Sequence, residues 1–130
     1  MSQPEKSFEQ FIAESFDSEE AVMIVLVLRD SDVSLSAAHV AERLERDFGV
    51  APEQSPRLGE KRVELRLRDL AARGLVDILA DGYRYRGDEA GVDAHVAHAS
   101  ELLTARRSDL NRLIYSTSAR ARRLAEAFRL

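Results

Sequence analysis

Apolar positions along the chain keep two periods, and the change between them falls at Gly74. Before it, Val63, Leu67, Leu70 and Ala71 recur at three- and four-residue steps, which places them on one helix face. Ser55 is a good N-cap residue, Pro56 suits the first helical position, and Gly74 stands where a helix closes on a left-handed residue. After Gly74 the period becomes two. Asp81-Gly82 is then the dipeptide that two-residue type I′ turns favour. A hairpin closed there sets Ala80 opposite Tyr83, Ile78 opposite Tyr85 and Asp77 opposite Arg86, each a compatible pair. The stretch 55–86 is therefore predicted as a helix running straight into a tight hairpin.

The flanking pattern is helical. Ser7 and Gln10 form a capping box, and Phe8, Phe11, Ile12 and Phe16 share one face, which predicts a helical arm over 1–16. Asp17 and Glu20 give a second capping signal ahead of AVMIVLVLRD. The β-branched residues of that run suit a strand, but the cap predicts a helix buried all round. Val33-Ser34-Leu35 suits a short strand. Ser36 then caps AAHVAERLERDF, with Val40, Leu44 and Phe48 inward, Glu42, Arg43 and Glu45 outward, and Gly49 as the stop. Residues 50–54 turn the chain into the central helix.

GDEAG reads as a linker. From about 92 to 115 a single long helix is expected. Val92, Val96, Ala99, Leu103, Leu110 and Leu113 follow alternating four- and three-residue steps, with Arg106 in the missing place, and approximate a heptad seam. Ser116-Thr117-Ser118 interrupts it, and ARARRLAEAFRL makes a last helix with Leu124 and Phe128 on one side. The expected fold is mainly α with a small β-hairpin. It divides into a helical arm (1–16), a central domain (17–87) and C-terminal helices (88–130).

Composition narrows the function. The chain has 130 residues, a formal net charge of −4 and no cysteine. That removes disulfides, thiolate metal sites and cysteine nucleophiles. The N-terminus is acidic, so no secretory leader is expected. The longest apolar run, 21–28, is far too short for a bilayer span, so neither membrane insertion nor export is expected, and a cytoplasmic protein is. Two basic stretches, 55–73 and the C-terminal 106–129, stand on this acidic background.

Candidate chemistry is sparse. His95 and His98 are spaced to chelate from one helix, with Asp93 nearby, but no third and fourth ligand is signalled, so no metal or other cofactor is expected. His39 stands near the start of another helix. No GxSxG, Walker or GxGxxG sequence occurs, and no catalytic function is expected.

The words LSAAHVAERL, VELRLRDLAARGLVDI and DGYRYR, over about 35–86, resemble winged helix-turn-helix transcriptional regulators of the MarR and PadR kind. The tail LIYSTSARARRLAEAFRL is similar to that of small bacterial proteins with a winged-helix core. The resemblance implies a helix-turn-helix with a short wing, extended by the N-terminal arm and the C-terminal helices. It implies a homodimeric regulator of transcription that binds double-stranded DNA. Lys61, Arg62, Leu65, Arg68 and Arg73 on the central helix would face the major groove, and Arg84 and Arg86 on the wing would reach phosphates. The seam Val92, Val96, Ala99, Leu103, Leu110 and Leu113 would pair two subunits. A second reading stays open beside it. Leu58, Leu65 and Ala72 are seven apart and form an apolar stripe on the same face, which suits a protein partner in a winged-helix interaction module that does not bind DNA.

Overall fold

The computed structural model describes residues 7–50, 56–88 and 91–115. Six α-helices and one hairpin form there: α1 (Phe8–Ser15), α2 (Glu19–Arg29), α3 (Ala37–Phe48), α4 (Pro56–Ala72), β1 (Val76–Leu79), β2 (Gly82–Tyr85), α5 (Val92–Ala105) and α6 (Arg107–Ile114). The protein is mainly α with a small antiparallel hairpin. Ser55, the turn through Gln54, the tripeptide Ser116-Thr117-Ser118 and the basic tail with Leu124 and Phe128 lie outside the described residues. The chain divides into two compact units, one of Glu20–Gly87 and one of Met1–Glu19 with Asp88–Leu130.

In the unit Glu20–Gly87, local chemistry sets the helix ends. The Ser36 hydroxyl accepts from the His39 backbone N–H at 3.2 Å and lies 3.0 Å from His39 Nδ1, so His39 is part of the α3 cap. Gly49 closes α3 in the left-handed region, at φ 66°, and the Gly49 N–H reaches the Leu44 and Glu45 carbonyls. Gly74, at φ 84°, plays the same part after α4. Val40 and Leu44 of α3 and Val63, Leu67 and Leu70 of α4 are buried, and α3 packs on α4. Ala21 through Leu28 are all buried, so α2 is the apolar helix its sequence predicts. Arg43 stands at the surface as expected, lying flat in an ion-pair cluster. Its guanidinium is half-buried, with Nε 2.8 Å from Asp47 Oδ2 and a second nitrogen 3.3 Å from Asp30.

The hairpin closes differently from the expectation. Its register pairs Val76 with Tyr85, Asp77 with Arg84, Ile78 with Tyr83 and Leu79 with Gly82. The two-residue loop is Ala80-Asp81, and no non-glycine residue has positive φ, so a type I′ turn is not formed. The cause lies outside the hairpin. Leu35 bridges Tyr83 through two backbone hydrogen bonds, of 2.9 and 2.8 Å. A β-carbon on Gly82 would stand 2.6 Å from the Leu35 carbonyl oxygen. Gly82 is thus needed in the strand, at φ 153°, and not in the loop. The shift is two residues, so every side chain keeps its expected face.

In the other unit, Ser7 caps α1 by accepting from the Gln10 N–H at 3.2 Å. Phe11, Ile12 and Phe16 are buried, and α1 packs against α5 and α6. Arm and C-terminal helices therefore belong to one body. The single long helix is not observed. It breaks at Arg106, whose φ of −142° and ψ of 55° end α5 and start α6. Arg106 is the one polar residue in the seam. The Arg106 N–H donates to the Leu102 carbonyl, and its own carbonyl accepts from the Asp109 and Leu110 N–H groups. Both helix ends are closed by this one residue, and the break lets Leu110 and Ile114 turn inward together.

Candidate interaction face of the central helix

Burying Val63, Leu67 and Leu70 fixes which side of α4 is left outside. Leu58 and Leu65 stand there with 58% and 63% of their surfaces exposed. Lys61, Arg68 and Ala72 share that outward side and are exposed. Isolated exposed leucines are ordinary, but two in one row with an alanine, each two turns from the next with Lys61 and Arg68 between them, mark an interrupted apolar row along this side.

The arginines expected to face DNA are mostly committed elsewhere. Arg62 Nε donates to Glu20 Oε1 at 3.0 Å, and Arg66 Nε donates to the same oxygen at 3.1 Å. Glu20 is part-buried at the start of α2, so these two side chains tie α4 to α2 inside the unit. Arg68 donates to Glu64 at 2.7 Å and Arg73 to Asp69 at 2.9 Å, each one helical turn apart. On the hairpin, Arg86 lies 3.9 Å from Asp77. Among the described residues, Lys61 and Arg84 make no ion pair, and both are exposed. Around the outward side, Arg57, Lys61, Arg68 and Arg73 stand among Glu60, Glu64 and Asp69, so the cations exceed the carboxylates by only one.

The residues expected to pair subunits lie in a different setting. Val96, Ala99, Leu103 and Leu110 are buried within the single chain, and Val92 and Leu113 are half-buried. With the helix broken at Arg106, no uninterrupted heptad surface is presented.

His95 and His98 pack on aromatic rings. The His98 ring stacks on Phe8 with centroids 4.0 Å apart, and the His95 ring stacks on Phe11 at 5.1 Å. The i,i+3 pair on α5 thus meets an i,i+3 pair on α1. Among the described residues no group of three or more metal-ligating side chains gathers, and no helix is long and apolar enough to cross a membrane.

Sequence periodicity placed Leu58 and Leu65 on the outward face. It missed Glu20, whose partners are 42 and 46 positions away. The only local signal was the spacing of Arg62 and Arg66 by one turn. No protein-family model, curated protein or solved structure matches the chain.

Proposed function

We propose that the unit Glu20–Gly87 is a winged-helix protein-interaction module, non-catalytic and cytoplasmic, that docks on a protein partner through the outward face of α4. The supporting observation is the exposed pair Leu58 and Leu65 on a face where Arg68 and Arg73 are held by Glu64 and Asp69. Removing two leucines from water contributes about 1.5–3 kcal/mol each when burial is complete. A phosphate backbone rewards free cations, and three arginines of α4, with Arg73 just after it, are held by carboxylates of this unit: Arg62 and Arg66 by Glu20, Arg68 by Glu64 and Arg73 by Asp69.

A photo-reactive residue at position 65 should form a protein adduct in cells that carry the chain, and the same residue at Glu42 on α3 should not. Leu58→Asp should abolish the adduct. Equal labelling from positions 65 and 42 would sink the proposal.

One observation favours the second reading, a homodimeric DNA-binding regulator: Lys61 on α4 and Arg84 on the hairpin are both exposed and outside any ion pair among the described residues. Fluorescence anisotropy of a labelled mixed-sequence duplex separates the two. Under the protein-docking reading the duplex is not bound at low salt. Under the DNA reading it is bound, the affinity falls roughly tenfold or more by physiological salt, and Lys61→Ala with Arg84→Ala removes it.

A further inference from the structure

The break between α5 and α6 has no local cause. Residues 104–108 contain no glycine or proline, and Ala105, Arg106 and Arg107 rank among the good helix formers. Sharp bends in helices are almost always set by such a breaker or by an inserted group. Yet Arg106 leaves the helical region, at φ −142° and ψ 55°. The departure costs hydrogen bonds. A helix running through it would join the N–H groups of Arg107, Ser108 and Asp109 to the carbonyls of Leu103, Thr104 and Ala105. None of these three bonds is made. Among the described residues, only the Asp109 N–H finds another backbone partner, the Arg106 carbonyl at 3.0 Å.

What holds the bend is tertiary. α1 packs on both α5 and α6, and Leu110 and Ile114, the fully buried residues of α6, reach that packing only because α6 leaves the line of α5. Arg107, the first residue of α6, is also held by Glu19 of the same unit. α1 itself has eight residues, too few for a stable helix in water without support. It is held by burial of Phe11 and Ile12 and by the Phe8 and Phe11 rings, stacked on His98 and His95.

We propose that α1 is a removable strap that keeps α5 and α6 bent, and that the two fuse into one continuous helix over 92–114 when α1 lifts. Arg106 is the hinge, since the φ and ψ of this one residue separate the bent state from the straight one. While α1 is docked, burial of Leu110 and Ile114 outweighs the three missing bonds. Once α1 leaves, much of that burial is lost and the bonds decide. Fusion brings Val92, Val96, Ala99, Leu103, Leu110 and Leu113 into one seam, which the bend divides. The strap and the hinge lie within one unit and do not involve the α4 face, so this proposal and the proposed function fail separately.

Nuclear magnetic resonance of the full chain tests the hinge at Arg106. In the wild type the Arg106 Cα shift should be non-helical, and the Arg107 and Ser108 amides should exchange freely. Phe11→Asp with Ile12→Asp places two carboxylates on the buried face of α1 and should detach it. Arg106 should then take a helical shift, and exchange at Ser108 should slow roughly tenfold or more. Adding Arg107→Pro should undo both changes. Proline suits the first position of α6, but in the fused helix it lacks the N–H and clashes with the Leu103 carbonyl. Adding Arg107→Ala instead, which drops only the contact with Glu19, should leave the fused helix intact. A helical Arg106 in the wild type, a bend that persists in the double variant, loss of helix throughout 92–114 in that variant, or a helical shift that survives Arg107→Pro would each overturn the proposal.

Discussion

Gly82 lies against the backbone of Leu35, so closely that any β-carbon there would meet the Leu35 carbonyl oxygen at 2.6 Å. This contact decides the hairpin register, and it is strained for any other residue because φ at Gly82 is 153°. Gly82→Ala should lower stability by about 1–3 kcal/mol, as measured by urea unfolding. Asp81→Ala, in the loop beside it, should cost far less. Equal effects from the two would contradict the close approach.

Glu20 is the hub of the charge pattern on α4. One carboxylate oxygen receives both Arg62 and Arg66, in a part-buried setting. Hydrogen bonds to charged groups contribute about 1.5–3 kcal/mol, so Glu20→Ala should destabilise by that order while exposing two arginines. A double-mutant cycle between Glu20→Ala and Arg62→Ala should show coupling well above that for the exposed pair Glu64 and Arg68. Additive losses would rule out the hub.

Leu110 is fully buried, whereas a role in subunit pairing would have left it at the surface of the free chain. Leu110→Ala should lower stability by about 2–5 kcal/mol, read by thermal or chemical unfolding, without changing the oligomeric state of what remains folded. A folded monomer of unchanged stability would restore the seam as an interface.

Asp47 gives the acid response a direction. The Arg43 hydrogen bond, and after it the Arg46 hydrogen bond, hold its carboxyl below the ordinary value of 3.8. A folded value below the unfolded one stabilises the native state above the unfolded value and is lost as pH falls through the folded one. Urea midpoints of wild type and Asp47→Asn should therefore differ at neutral pH. They should begin to converge as pH falls below about 3.8, where the unfolded state takes up the proton, and meet once pH lies below the depressed folded value. A gap that widens on acidification would reverse the sign. The Arg43 guanidinium, held by Asp47 and then by Asp30, is raised correspondingly and stays charged throughout.

Signals that act within one or two turns were legible in the sequence. Ser7, Ser36, Gly49 and Gly74 all end their helices where expected, because capping needs only neighbouring residues. The apolar period placed Val63, Leu67 and Leu70 inward and left Leu58 and Leu65 outside. What escaped depends on residues distant in the chain. The hairpin register rests on Leu35, the burial of Arg62 on Glu20, and the inward turn of Leu110 and Ile114 on their packing in the folded unit. Arg106 could be counted as filler in a heptad or as the place where the heptad stops. Spacing alone is the same in both cases.

The two-residue difference in the hairpin has a consequence for how such chains can diverge. Side-chain direction in a strand depends only on odd or even position, so the hairpin should tolerate a change of two residues better than a change of one. Inserting or deleting two residues at Ala80-Asp81 would leave Val76 inward and Ile78 aligned with a tyrosine. One residue would invert the second strand and point Arg84 at the protein interior. Among related chains, loop lengths here should change in steps of two, and a family member with an odd step should carry a compensating bulge in β2.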